Sequence, residues 1–127
     1  MGKILTEISQ GELLDKISIL EIKLAKIKNN ILLKEVKKEY KILINIKKRN
    51  IKKSKYLNKL YSSLKRINKQ IWNIENLKRN YERQKKFNKA FIIISRREYK
   101  ANDSRAKIKS KINYFLDSNI KEVKQHL

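Results

Sequence analysis

The chain contains no cysteine and no proline, and only Gly2 and Gly11 supply glycine. The missing cysteine removes disulfides, thiol nucleophiles and cysteine-ligated zinc, and it fits a reducing compartment. Without proline, and with two glycines, tight hairpin turns, a Walker phosphate loop and a dinucleotide-binding glycine loop are excluded. Helices are what remain. Long apolar runs are missing too: the longest is AFIII at 90–94, far short of the roughly 20 residues that a membrane-crossing helix needs. Acid is the last scarcity, with 12 Asp and Glu against 34 Lys and Arg and a formal net charge of +22.

What is present is 27 Lys, 20 Ile and 13 Asn, against only 7 Arg. All three abundant residues have A/T-rich codons, so a drift in base composition would raise them together without selection for a basic surface. Sites that grip phosphate or read bases tend to recruit arginine for its planar, bidentate fork. Whatever its origin, a field this positive attracts nucleic acid and anionic lipid nonspecifically at low salt.

Targeting signals are weak. Glu7 interrupts any signal-peptide core in MGKILTEIS, and the chain reads as a cytoplasmic protein with no membrane partner. Gly2 to Thr6 fits a myristoylation pattern and Asn102-Asp103-Ser104 a glycosylation acceptor, but both patterns are common by chance.

A chain of 127 residues reads as one domain, 1–127, able to bury a modest core. Ser9 followed three residues later by Glu12 is a capping box that opens a first helix. Leu13, Ile17, Leu20, Leu24, Ile27 and Ile31 form its apolar stripe. Asn29-Asn30 loosens or ends it, and a second helix is expected from about Leu33 to Lys48. A basic connector follows at 47–55, and Ser54 can cap a third helix. There Leu57, Leu60, Leu64, Ile67, Ile71 and Ile74 step by three and four, an a/d seam in a helix reaching about Lys85. Phe87, Ala90, Phe91 and Ile94 make another face. Residues 99–113 then read as a break and restart, with Asn102 or Asp103 as the new N-cap, and 118–127 as a tail expected to fray. The fold class is therefore all-α, an antiparallel bundle of four to five helices with one long coiled-coil-like member. Because that seam leaves apolar surface in a small chain, a homodimer through the third helix is expected.

Three segments, GELLDKISILEIK (11–23), INKQIWNIENLKR (67–79) and ANDSRAKIKSKIN (101–113), resemble the signature segments of a small family of bacterial and phage proteins of unknown function. The resemblance covers most of the chain in order, most weakly over 30–60, and implies kinship rather than chemistry. It marks Glu12, Asp15, Lys16, Glu21 and Lys23, then Asn68, Trp72, Glu75 and Arg79, then Asn102, Asp103 and Arg105. Lys69, Asn73 and Asn76 stand where the family usually shows acids.

On helical wheels Glu12, Lys16 and Lys23 border one apolar stripe, while Asn68, Glu75 and Arg79 border the other, so packing the stripes would align the two borders. Such a border can be a set of register-fixing ion pairs. It can instead be a pocket for a small anionic or sugar-like ligand, with Lys16, Lys23, Arg79 and Arg105 as donors, Trp72 as wall, and Asn68, Asn102 and Asp103 alongside. Lys16 and Arg105, read as unpaired donors near a helix start, are the favoured contacts. For catalysis Glu75 is the first acid–base candidate and Asp15 the second. A lone His126 suggests no metal site, and no cofactor is expected. Three functions follow: a helical binding or accessory protein for a protein or small polar ligand, a nucleic-acid module using 34–59, or a small helical enzyme acting on a sugar or nucleotide-like substrate.

Overall fold

The computed structural model describes residues 2–126. Its elements are four helices: α1 (Gln10–Lys26), α2 (Asn30–Asn50), α3 (Lys55–Arg83) and α4 (Lys89–Phe115). α3, at 29 residues, is about 44 Å long, and α4 packs against it as the second arm of a hairpin. α1 packs on both arms and carries α2 on its other side. The buried core gathers Leu13, Leu14 and Ile17 of α1, Leu57, Leu60 and Leu64 of α3, and Ile112 of α4. Tyr40, Leu43, Ile44 and Ile46 of α2 cover it from outside.

Polar side chains set the helix starts. Ser9 Oγ accepts from the N–H of Glu12 at 3.0 Å, Asn29 Oδ1 from those of Ile31 and Leu32, and Ser54 Oγ from that of Leu57. Asn29 therefore starts α2, and the stripe expected to run on to Ile31 ends with α1 at Lys26, leaving Ile31 exposed. Scarce glycine shows at the ends. Lys85 (φ 53°) and Asp117 (φ 51°) both hold left-handed conformations, each inside a turn that returns an N–H to the helix, from Lys86 to Tyr81 and from Ser118 to Asn113. Glycine commonly fills that place.

One expectation is corrected. There is no break within 99–113, because α4 runs through it. Asn102, instead of capping a new helix, donates Nδ2 to the carbonyl of Glu98 one turn back at 3.1 Å, and Ala101 is buried beneath the same stretch. The first half of the α3 seam is filled from within the chain: Leu57, Leu60 and Leu64 lie in the core with Ile67 against it, while Ile71 and Ile74 stay partly exposed.

Candidate functional site

Gly11 fixes how α1 meets α4. A Cβ there would lie 2.6 Å from Asn113 Oδ1 and 2.7 Å from the Lys109 carbonyl, so only glycine allows this approach. The backbone N–H of Gly11 donates to Asn113 Oδ1 at 2.7 Å and that of Gln10 to Ser118 Oγ at 3.3 Å. With Ser9 on Glu12, the first N–H groups of α1 are taken, which leaves that helix start no free donors for an anion.

One turn further, Asp15 is fully buried and sits between α3 and α4. Arg105 donates to both its oxygens, through Nε at 3.0 Å and through Nη2. Asn68 Nδ2 donates to Asp15 Oδ1 at 2.9 Å and to Ser18 Oγ at 2.7 Å, while Ser18 donates to the Asp15 carbonyl at 2.8 Å. Lys109 Nζ stands 3.6 Å from Asp15 and 2.5 Å from Glu12. Burial works to raise the Asp15 pKa, but the hydrogen bonds from Arg105 and Asn68 and the charges of Arg105 and Lys109 outweigh it, so the carboxyl is held below its ordinary value. A lowered pKa is the opposite of the shift that an acid catalyst needs.

Glu21 repeats the arrangement two turns along, where the hydroxyls of Tyr40 (2.9 Å) and Tyr61 donate to it and Lys65 lies 3.3 Å away. Burial again opposes and the phenols and Lys65 win, lowering the Glu21 pKa. Burial, then Glu21 itself, raise those of both tyrosines. With Glu7 accepting from Asn119 at 2.7 Å, all four acids of residues 1–25 bind groups on other elements. The even charge of the first helix is the counter-charge that ties the basic hairpin to it.

The two charged borders do not line up as expected. Asn68 meets Asp15 and Ser18 instead of Glu12, and Arg105, in the middle of α4, is paired rather than free. Lys16 is exposed and 3.9 Å from Glu12 in its own helix, and Lys23 is half-buried near the end of α1. Asp103 pairs with Lys124 at 3.0 Å. Arg79 is largely exposed and 3.9 Å from Glu75. The neighbouring Glu98 carboxyl raises the Glu75 pKa, with some burial adding to this, whereas that of Glu98 is lowered by Glu75 and by Lys78 at 2.7 Å. The direction of the Glu75 shift is the one an acid catalyst needs.

Arg105 lies between two cavities. One, about 300 Å³, is walled by Ile19, Ile22, Ile71 and Trp72, with Asn68, Glu75, Asn76, Arg79 and Arg105 as its polar lining. Of the eight residues read from the sequence as ligand contacts, it unites Asn68, Trp72, Arg79 and Arg105. The other, about 620 Å³, lies between α4 and the C-terminal segment and takes in Asn102, Asp103, Lys109, Lys124 and His126. Lys16 and Lys23 line neither cavity. Sequence reasoning missed Tyr40 and Tyr61, which lie outside the signature segments, and Ser18, Lys109 and Asn113, which lie inside them but were not singled out. Only the helical spacing of Asp15 and Ser18 hinted at a polar spot within an apolar face.

These features define a small all-helical bundle braced by buried charge. Residues 4–126 match the family of unknown function DUF6165, and the chain belongs to that family. No curated protein and no solved structure matches it.

Proposed function

We propose that the protein is a small helical binding or accessory protein that takes a polar or anionic, sugar-like ligand in the cavity beside Trp72. One observation carries this reading. Asn68 and Arg105 bind Asp15 with only part of their hydrogen-bonding capacity, and both line the cavity. Among the described residues the Asn68 carbonyl oxygen and Arg105 Nη1 have no partner. An acceptor and a charged donor, each locked in place by the buried carboxylate, border an apolar wall that includes an indole. Fixed polar groups beside an aromatic face suit a ligand with hydroxyls and a negative charge. The larger cavity is less apt, since Lys109, Lys124 and Glu122 there are bonded to Glu12, Asp103 and Ser9.

Thermal melting with a panel of sugar phosphates and nucleotides tests the proposal. A binder at about 100 times its Kd adds about 2.7 kcal/mol of stability, and Trp72→Leu is expected to abolish that gain while leaving the unliganded protein folded. No stabilisation by any panel member sinks the reading for those ligands.

Two other readings have a specific observation each. Lys34, Lys38, Lys41 and Lys48 lie exposed along one face of α2, which supports contact with a phosphate backbone. A small enzyme acting on a sugar or nucleotide-like substrate is supported by Glu75, whose raised pKa and place in the Trp72 cavity suit general acid catalysis.

A further inference from the structure

The run AFIII, the longest apolar stretch in the sequence, forms the first turn of α4 at the tip of the α3–α4 hairpin. Only Ile94 of the run is buried. Phe91 turns inward, its ring edge-on to Tyr81 at 6.4 Å and to Phe87 at 5.4 Å. Phe87, Ile92 and Ile93 stay 45% to 58% exposed, and Leu77 of α3 is exposed beside them. Five successive apolar residues on a helix cover every side of a turn, and such a turn ordinarily lies buried. This one stands in the open, because the core cluster uses α3 only as far as Ile67 and α4 only from Ile108. The last four turns of α3, about 24 Å, run on beyond it.

Charge completes the picture. From Arg83 to Arg97 the sequence holds six Lys and Arg and no acid, and Arg83, Lys85, Lys86, Lys89 and Arg96 are all exposed around the tip. We propose that this tip is a peripheral docking site for an anionic lipid bilayer, with Phe87 and Ile92 entering the headgroup boundary and the surrounding lysines meeting lipid phosphates.

Three features select that occupant. Exposed Ile92 and Ile93 stand about 100° apart on α4, with exposed Phe87 in the turn before it, so they share no single face, whereas a helical partner lies along one groove. A bilayer contacts all of them at once. Six positive charges on each copy oppose tip-to-tip pairing with a second chain and favour an anionic surface. Nucleic acid would satisfy the cations but leave Phe87 and Ile92 in water. Among the described residues no helix is long and apolar enough to cross a membrane, and lying on a surface makes no such demand.

Vesicle co-sedimentation at physiological salt tests this with the full chain, comparing phosphatidylglycerol–phosphatidylcholine mixtures with phosphatidylcholine alone. Binding is expected only to the anionic vesicles. Phe87→Ser with Ile92→Ser changes no charge and is expected to weaken it by at least about tenfold, with Ile92→Ser alone as the milder variant should the pair disturb folding. Lys85→Glu, Lys86→Glu and Lys89→Glu together are expected to do the same, while Lys34→Glu, Lys38→Glu and Lys41→Glu on α2 change it less than about threefold. Absence of binding overturns the proposal, as does equal loss in both charge sets with no effect of the serines, which would leave net charge as the only cause. A dimer in sedimentation that the serine variants dissolve would assign the tip to a second copy instead.

Discussion

Asp15 and Arg105, 90 positions apart, form a two-pronged ion pair in which the carboxylate is buried and the guanidinium reaches outward to a cavity. The pair joins the first helix to the last, and Asn68 ties the third helix to the same oxygen. Replacing Asp15 by Asn leaves Arg105 and Lys109 without their counter-charge in a partly desolvated position. The expected loss is about 2–4 kcal/mol by chemical denaturation. Asp15→Leu with Arg105→Met is expected to recover part of that loss, since removing both charges is milder than orphaning one.

The same pair fixes an acid dependence. Folded-state pKa values of Asp15 and Glu21 lie below their ordinary values, so the stability they supply is fully present above the unfolded values of about 4. It is lost as pH falls from there through the folded values. Denaturation midpoints between pH 2 and pH 6 should fall steeply for the parent and less steeply for Asp15→Asn. Parallel curves would show that Asp15 does not contribute through its charge.

Close backbone approach yields a second expectation. Gly11→Ala puts a methyl 2.7 Å from the Lys109 carbonyl, a backbone atom that cannot swing aside. A loss of about 1–3 kcal/mol is expected. Asn113→Ala should not rescue it, since only the side-chain half of the clash is removed. Full rescue would place the constraint in Asn113 alone.

Much of this architecture is legible in the sequence, for reasons particular residues make plain. Ser9 and Ser54 cap helices because their hydroxyls meet N–H groups three residues on, a purely local event. The α3 seam is equally local in its periodicity. What failed was long-range. Asn102-Asp103-Ser104 looks like a helix start, yet Ala101 beside it is buried against the rest of the fold and Asn102 turns back to the Glu98 carbonyl, so the helix runs through. The acids of α1 were visible as unusual, but their partners stand on other helices, and a wheel cannot choose between Asn68 and Lys109 for Asp15 or Glu12. The cavity was half legible. Its polar residues on α3 and Arg105 were marked, whereas Ile19 and Ile22 fall outside the apolar stripe read for the first helix.

Lys85 offers a test in the stabilising direction. Its φ of 53° is one that a side chain resists and glycine adopts freely. Lys85→Gly is expected to add about 0.5–1 kcal/mol, read as a higher melting temperature with unchanged far-ultraviolet circular dichroism. A lower melting temperature would mean that the lysine side chain makes up for its backbone.

Glu75 and Arg79 look from the sequence like members of a structural network, and their exposure argues otherwise. They sit 3.9 Å apart with Arg79 mostly in water, a geometry worth little. Arg79→Met is expected to change stability by less than about 0.5 kcal/mol. A raised folded pKa at Glu75 means that its favourable contact with Glu98 is present at low pH and fades as pH rises through that value. Glu75→Gln keeps a donor toward Glu98 at every pH, so melting should be unchanged near pH 4 and unchanged or higher near pH 8. A clear loss at pH 8 would restore the ion pair as a structural element.

The lysines pose the last question, which is whether the charge of +22 has a location or only a sum. Outside residues 1–25, where acids bind specific partners, little local compensation exists, and counterion release makes duplex DNA bind nonspecifically at low salt. Affinity should fall by at least about a thousandfold between 50 and 200 mM salt. If base-composition drift placed the lysines, no face is privileged. Lys34→Gln, Lys38→Gln and Lys41→Gln on α2 should then lower the slope of log affinity against log salt by about as much as Lys3→Gln, Lys69→Gln and Lys111→Gln, three exposed residues scattered over the molecule. A loss confined to the α2 set, with submicromolar affinity and sequence preference kept by the parent at 150 mM salt, would make the α2 face a binding surface and the drift argument wrong. Equal losses would mean that the chain attracts polyanions as any strongly basic protein does, and that specific function must be sought where lysine is not abundant, around Asn68, Trp72 and Arg105.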